Sequence, residues 1–405
     1  MQWTAEQEGA LQAVEHWFRN KTSPSFYLAG YAGTGKTTLA RHFAENCSGV
    51  VKFAAFTGKA ASVLRKKGCP GATTIHSLIY RPVGQTNEKQ RRSLEILIEV
   101  EENKDKADRD PMVETWRKEL ADLTARSRAM FELRKEGETE IMEADLVIID
   151  ECSTVDVKMG ADLEGFGVPI LYLGDPGQLP PVNGKGLLAK RRPDYTLEEI
   201  HRQAKDSPII WLAHEIRQGR KTAFGSFGDG QVEILKKREW DWQRAIESDQ
   251  MICGMNKTRR RLNAGARERL GFDKLYPLVD DKLICLNNDH DEGLLNGVTC
   301  SMLADSIKKG NLLEARIDYE GMRMLHYIDP GHFEENYQKR LSYPKYDTVQ
   351  HFDYGYAITG HKSQGSQWPS IVVCDDKMRA DDVVHRRQWL YTVVTRAEEG
   401  LTVYA

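Results

Sequence analysis

No apolar run in this 405-residue chain approaches the roughly 20 residues that cross a bilayer, so no membrane-spanning helix is expected. The first residues, Met1-Gln2-Trp3-Thr4-Ala5-Glu6-Gln7, lack a basic segment followed by an apolar stretch, so no secretory leader is expected there. The seven cysteines include no Cys-x-x-Cys pair, which argues against a zinc or iron–sulfur centre and fits a reducing cytoplasm. Charge of one sign is missing too: 57 basic residues against 60 acidic ones leave a net charge of −3. That excludes a large, permanent, nonspecific coat on DNA but leaves room for a narrow basic channel. No internal repeat, low-complexity run or nuclease-like carboxylate cluster stands out, and no long appended domain.

What is present is a soluble globular composition, 40% hydrophobic and 29% charged, on a chain too long for one core. Two or more domains are expected. Residues 30–38, Gly-Tyr-Ala-Gly-Thr-Gly-Lys-Thr-Thr, fit the phosphate-loop pattern G-x-x-x-x-G-K-[ST] without a mismatch. A short buried strand, Phe26 to Ala29, is predicted before them and a helix after them, as the motif requires. Gly33 and Gly35 let backbone N–H groups close on phosphate oxygens, with Thr34 and Thr38 in the same cradle. Lys36 reaches β- and γ-phosphates, and the Thr37 hydroxyl holds Mg²⁺. The chain is expected to bind a nucleoside triphosphate.

Further apolar strands at 50–56, 145–150, 169–175, 250–254, 356–359, 370–374 and 401–404 alternate with helices, for example 207–218 and 256–270. Continuous apolar strands between helices imply parallel sheets covered on both faces, an α/β fold. Residues 86–129 carry two helical stripes, one of Leu94, Leu97 and Ile98 and one of Met112, Trp116, Leu120 and Leu123. They read as an inserted helical hairpin with a solvated outer face. Residues 130–142 alternate around Glu136-Gly137 and read as a short β-hairpin. Residues 280–350 read as a small inserted β subdomain.

Val147 to Glu151 is an apolar strand ending in two carboxylates. Beside a phosphate loop, Asp150 fits a Mg²⁺ ligand and Glu151 fits the group that polarises the attacking water. Gln178, in a Pro/Gly-rich turn after the next strand, is placed to sense the γ-phosphate. Gln7, a few residues ahead of the first helix, offers an amide to the edges of adenine. Arg202 and Arg396 are the candidates for neutralising transition-state charge, since a planar guanidinium matches a loose phosphoryl transition state.

Taken in order, these residues resemble the superfamily 1 helicases, most closely the RecD/Dda-like branch, superfamily 1B. Phe56 to Ala61 resembles motif Ia and Thr74 to Leu78 motif Ib. Asp150-Glu151 resembles motif II, Gly174 to Pro181 motif III, and Leu197 to Arg202 motif IV. Tyr356 to Gly365 resembles motif V, and Tyr391 to Ala397 motif VI. The resemblance implies two RecA-like parallel-sheet domains enclosing ATP and Mg²⁺, with single-stranded DNA across the top. Residues 1–80 with 143–199 would form the first domain, and 200–279 with 351–405 the second. Residues 81–142 would be an insert in the first domain, carrying a strand-separating pin at 130–142. Residues 280–350 would be a barrel-like insert in the second. Thr57, Lys59, His76, Thr359, His361 and Lys362 become candidate strand contacts, with Phe131 or Trp368 stacking on bases. Gly365 joins the nucleotide group.

The implied activity is ATP-driven 5′→3′ movement on single-stranded DNA with duplex unwinding, in replication, recombination or repair. Implied partners are single-stranded DNA, DNA junctions, and a single-stranded DNA-binding protein or replication machinery. A cytoplasmic monomer is expected, bacterial, or in the host if phage-encoded. A translocase or RNA helicase, and a nucleotide-dependent subunit of a larger complex, stay open as alternatives. Phosphate-loop kinases and GTPases have no use for motifs III, V and VI.

Overall fold

The computed structural model describes residues 3–82, 94, 98, 112–126, 131–135, 137–180, 186–187, 191–200, 206–287, 294, 296–319, 321–334, 349–376 and 382–405. Helix α1 (Ala5–Asn20) opens on a capping box in which Thr4 and Gln7 satisfy each other's backbone N–H. Strand β1 (Ser25–Gly30) and helix α2 (Lys36–Asn46) flank the phosphate loop. There follow β2 (Val51–Ala55), α3 (Gly58–Lys66), β3 (Thr73–Thr74), α4 (Ile75–Ile79) and β4 (Tyr80–Pro82). Beyond them come α5 (Val113–Arg126), β5 (Phe131–Leu133), β6 (Leu146–Asp150), α6 (Val157–Glu164), β7 (Ile170–Gly174) and β8 (Tyr195–Leu197).

Six of these strands form one sheet in the order β3-β2-β6-β7-β1-β8, and every pairing in it is parallel. Strands β1, β6 and β7 are buried along their whole length, as their continuous apolar runs require. One face packs on Val14, Trp17, Leu39 and Phe43 from α1 and α2; the other packs on Ile75, Ile79, Met159 and Leu163 from α4 and α6.

The second half contains α7 (Pro208–Arg217), β9 (Gly225–Phe227), β10 (Val232–Leu235), α8 (Trp242–Glu247), β11 (Gln250–Cys253) and α9 (Asn256–Arg269). Next come β12 (Lys282–Cys285), β13 (Thr299–Met302), β14 (Ile307–Lys309), β15 (Leu312–Tyr319), β16 (Met322–Ile328) and β17 (Phe352–Tyr354). The chain then runs through β18 (Ala357–Thr359), β19 (Trp368–Cys374), α10 (Val383–Val394) and β20 (Ala397–Tyr404). A second sheet runs β18-β11-β19-β20-β10-β9, parallel except for β9. Two mostly parallel sheets, each helix-covered, are the paired RecA-like architecture. Among the described residues, no helix is long and apolar enough to cross a membrane.

Strands β12 to β17 form the third sheet, in the order β14-β15-β13-β12-β17 with β16 on the other side of β15. A parallel bridge between Ile328 and Gln350 joins β16 to the lead-in of β17, so the sheet closes into a small barrel. Its last strand lies just past residue 350, so the β-rich segment runs on to Tyr354.

Among the described residues of 130–142, the expected hairpin is not formed. Strand β5 pairs antiparallel with β4 instead, Tyr80 opposite Leu133 and Pro82 opposite Phe131. After a turn at Gly137 (φ 84°), Glu140–Glu143 form a 3₁₀ helix that buries Ile141 in the first core. The apolar alternation belonged to two different environments, and Arg81 on β4 makes exposed ion pairs to Glu132 and Glu138 beside the real pairing. The stripe from Met112 to Leu123 corresponds to α5, and Leu94 and Ile98 are helical and buried, while Leu97 lies outside the described residues.

The barrel is anchored to the second sheet by a buried ion pair. The Arg267 guanidinium on α9 donates to both Asp281 oxygens, at 3.0 Å from Nε to Oδ1 and from Nη2 to Oδ2. Asp281 also accepts from Tyr356 OH and from the Leu278 N–H. Arg267 lies 4.1 Å from the Tyr354 ring centroid. Removing one partner strands a charge in a dry site. Arg267→Ala should cost about 3–5 kcal/mol in urea unfolding. Arg19→Ala, which breaks an exposed pair with Glu15, should cost under about 1 kcal/mol. Equal losses would show that the buried pair anchors nothing.

Candidate nucleotide site and the cleft around it

The parallel register brings three loops to one edge. Ala29 pairs with Gly174 and Ile149 with Tyr172, so the segments after β1, β7 and β6 emerge side by side. The phosphate loop turns through Gly33 at φ 79° and Gly35 at φ 83°, left-handed conformations that L side chains rarely adopt. Gly35 then caps α2, leaving its first N–H groups directed at the loop. The Lys36 ammonium sits inside the loop, donating to the carbonyls of Gly30 (2.6 Å) and Tyr31 (3.1 Å). Thr34 is buried, and its hydroxyl donates to the Tyr31 carbonyl; Thr38 is half-buried in the first turn of α2.

The Thr37 hydroxyl donates to Asp150 Oδ2 at 2.9 Å, joining α2 to the end of β6. Asp150 Oδ1 accepts the Glu151 N–H at 2.8 Å. Burial, and then the neighbouring Glu151 charge, push the Asp150 carboxyl above its usual range, while Thr37 and Lys36 pull it back. Glu151 adopts φ 52°, and its Oε2 is buried without a hydrogen-bond partner. Gln178 is buried as well, with its Oε1 likewise unpartnered. Orphaned acceptors beside an ammonium and a hydroxyl–carboxylate pair fit a site for a metal-bound triphosphate and an ordered water.

The second sheet closes over this edge. Arg396, 3% exposed, brings Nη1 to 3.9 Å from Glu151 Oε1. Its guanidinium is held by the carbonyls of Thr392 and Ser366 and by the Thr395 hydroxyl. Tyr391 goes deeper. Its hydroxyl accepts the Ala32 N–H of the phosphate loop (2.8 Å) and donates to Asp175 Oδ2 (2.7 Å). Burial pushes the Asp175 carboxyl up; the Lys36 charge and Tyr391 hydroxyl oppose that. The Arg217 guanidinium from α7 stacks on Tyr31, 3.7 Å from the ring centroid. Thr392 Oγ1 accepts the Leu179 N–H, and Gln364 donates to the Leu179 carbonyl. Tyr391 and Arg217 escaped the sequence reading. Tyr391 lay inside a recognised motif with no role attached; Arg217 ends an ordinary helix and carries no local signal.

Gln7 lies within α1 rather than ahead of it, at its third position. Its amide donates to the Thr34 carbonyl at 3.1 Å while its Oε1 accepts the Thr4 N–H, so it braces the back of the phosphate loop. Arg202 lies outside the described residues.

The expected strand contacts are spread along the cleft. Thr57 caps α3, and a Cβ on Gly365 (φ 74°) would meet Thr57 Oγ1 at 3.0 Å and Ala60 Cβ at 2.8 Å, so only glycine lets the two sheets approach here. Lys59 is half-buried on α3. His76 sits between the rings of Phe56 (5.8 Å) and Tyr80 (5.5 Å). Thr359 ends β18, and His361 stacks on His385 at 6.1 Å. Burial, then His385, push the His361 imidazole below its usual range, favouring the neutral ring. Lys362 donates to Asn296 Oδ1 at 2.7 Å, tying its loop to the barrel. Phe131 opens β5; Trp368 is buried in the second core and is not free to stack on a base.

Residues 3–235 match the family model described as an AAA domain, and residues 354–404 match the UvrD-like helicase C-terminal domain. A curated relative, the ATP-dependent RecD2 DNA helicase of Deinococcus radiodurans, is 25% identical over 409 aligned residues, covering 92% of this chain. The chain spans only 46% of that relative's length. Among solved structures, a Pif1 helicase at forked double-stranded DNA aligns over 100% of this chain and 92% of its own, with a TM-score of 0.56 at 19% identity. The Bacteroides Pif1 helicase in complex with ADP-AlF3 and single-stranded DNA aligns over 100% and 93%, with a TM-score of 0.54 at 18% identity. These structures share the fold.

The Tyr391 hydroxyl is a two-sided buried link. Tyr391→Phe strands the Ala32 N–H and takes one donor from a buried carboxylate, at about 1–3 kcal/mol. Adding Asp175→Asn removes the charge that has lost its donor. The double variant should therefore unfold at a higher temperature than strict additivity of the two single changes predicts. Additive losses would mean the hydroxyl and the carboxylate do not interact.

Proposed function

We propose that this chain, which belongs to the AAA-domain family and to the superfamily 1B helicases of RecD/Pif1 type, is an ATP-dependent DNA helicase that moves 5′→3′ along single-stranded DNA and opens duplexes. The observation that carries the reading is the meeting of Arg396 from one sheet with Glu151 from the other, 3.9 Å apart at the edge of a phosphate loop. A nucleotide held by the first sheet is then sensed by a guanidinium from the second.

In this reading the loop N–H groups of residues 33–38 and the Lys36 ammonium bind the phosphates. Thr37 and Asp150 would hold Mg²⁺, which supplies charge neutralisation on the phosphate oxygens when bound. Glu151 orients the attacking water and accepts its proton; its unpartnered Oε2 is the available acceptor. Gln178 reports the γ-phosphate, and Arg396 neutralises charge developing on the equatorial oxygens. Binding draws the sheets together and hydrolysis releases them. Thr57, Lys59 and His76 on one side, and Thr359, His361 and Lys362 on the other, would alternate their grip on phosphates without reading bases. The 5′→3′ direction comes from the branch to which the chain belongs. The partners are single-stranded DNA and its junctions with duplex. We further infer a monomeric motor working in a bacterial cytoplasm.

Lys36→Ala should abolish DNA-stimulated ATP hydrolysis while leaving the circular dichroism spectrum unchanged. Arg396→Ala should lower kcat by roughly 10³-fold or more with little change in KM. A defect confined to KM would remove Arg396 from the chemistry. Strand displacement should occur from a duplex with a 5′ tail and not from one with a 3′ tail. The reverse preference would overturn the polarity, and hydrolysis indifferent to single-stranded DNA would overturn the motor itself.

A further inference from the structure

Away from the cleft, Asp329, His332 and His351 gather where the barrel closes on itself. Each offers one ligand atom, and the three atoms lie within 4.8 Å of one another. His332 Nε2 is 3.0 Å from His351 Nδ1, and His351 Nδ1 is 3.7 Å from Asp329 Oδ2. The two rings stand at 87° to each other. Asp329 is fully buried, and its other oxygen, Oδ1, is occupied by the Gly331 N–H at 2.9 Å.

We propose that these three residues form a binding site for a divalent transition-metal ion, zinc by ligand type, that clamps the seam of the barrel. Donors around a four-coordinate zinc, at bonds of roughly 2.0–2.2 Å, stand about 3.3–3.5 Å apart. The His332–His351 spacing of 3.0 Å lies just below that range, the His351–Asp329 spacing of 3.7 Å just above it, and all three donors fall within 4.8 Å of one another. Two imidazoles and a carboxylate are a common zinc set with a fourth position left open. Nitrogen donors also separate this site from the Thr37–Asp150 pair, whose all-oxygen chemistry suits magnesium.

Position gives the ion its consequence. Asp329 follows β16, His332 sits in the 3₁₀ turn Pro330–Phe333, and His351 immediately precedes β17. The bridge that closes the barrel, Ile328 to Gln350, lies between them, with Asp329 N–H donating to the Gln350 carbonyl at 3.1 Å. An ion there ties together the two chain segments whose pairing makes the barrel, and its binding free energy adds to the stability of that closure. Cysteine spacing argues against zinc, but it is silent about histidines that only the fold unites. The competing account is a carboxylate-oriented His–His hydrogen bond with no metal.

The test uses the full chain, stripped with a chelator and titrated with ZnCl₂ in metal-free buffer by calorimetry. One zinc per chain should bind and raise the thermal midpoint of the apo protein. His332→Ala and His351→Ala should each weaken that binding by roughly 100-fold. Asp329→Asn keeps a side-chain oxygen for the Gly331 N–H and should weaken it while retaining the native circular dichroism spectrum. Co²⁺ in place of zinc should give the visible bands of a four-coordinate nitrogen–oxygen site without thiolate charge transfer. Absence of a stoichiometric zinc in the wild-type chain would overturn the proposal. So would undiminished binding in folded Asp329→Asn together with both histidine variants, which would place the ion on the cysteines or in the nucleotide site.

Discussion

A parallel sheet delivers the ends of neighbouring strands to a single edge, and in this chain β1, β7 and β6 are neighbours. The phosphate loop, the Asp175–Gln178 turn and the Asp150–Glu151 pair are far apart in sequence, yet their strands leave them no other place to go. Shifting β7 by one residue would turn its side chains to the opposite face and carry Gln178 away from the loop. The wholly apolar character of these strands is therefore part of the site's geometry as well as of the core. It holds the register that sets the distances between groups.

Convergence of this kind gathers negative charge. Asp150 and Asp175 share the Lys36 ammonium with the Glu151 charge close to both, and burial already pushes these two carboxyls upward. A site so loaded is suited to cations and to donors arriving from outside the sheet. The second sheet contributes both, the Arg396 guanidinium near Glu151 and the Tyr391 hydroxyl on Asp175. Tyr391 also occupies a phosphate-loop N–H, so it couples the loop, the Asp175–Gln178 turn and the second sheet through one oxygen. The contact that joins the halves is thus made at groups whose electrostatics change with the occupant of the loop.

How much of this was legible in sequence follows from the range of the forces involved. The strands of both parallel sheets could be read because burial on two faces leaves a continuous apolar signature. Strands β3, β8, β9 and β10 could not: they are short, and β9 is largely exposed. The phosphate loop and Asp150-Glu151 were readable because their chemistry needs contiguous residues. The hairpin was misread because alternation within 130–142 was taken for local pairing, whereas β5 pairs with residues about fifty positions earlier. Arg217 on Tyr31 and the Asp329–His332–His351 group are further cases of partners chosen only by the fold, with nothing in their local sequence to mark them.

The segment between β18 and β19 shows how such long-range partners can be concentrated. Within it, Lys362 reaches the barrel at Asn296, and Gln364 holds the Leu179 carbonyl next to Gln178. Gly365 presses on Thr57 and Ala60 of the first sheet's α3, and Gln367 accepts from Lys67 at the end of that helix. Ser366 supplies a carbonyl to Arg396. This segment is bonded to both sheets and to the barrel, and it adds to the direct contacts that Tyr391, Arg396 and Arg217 make between the halves. The segment follows Thr359 directly and contains His361 and Lys362, so the Leu179 turn is tied to the stretch of chain that carries them. The eight residues between β18 and β19 thus carry contacts to both sheets and to the barrel.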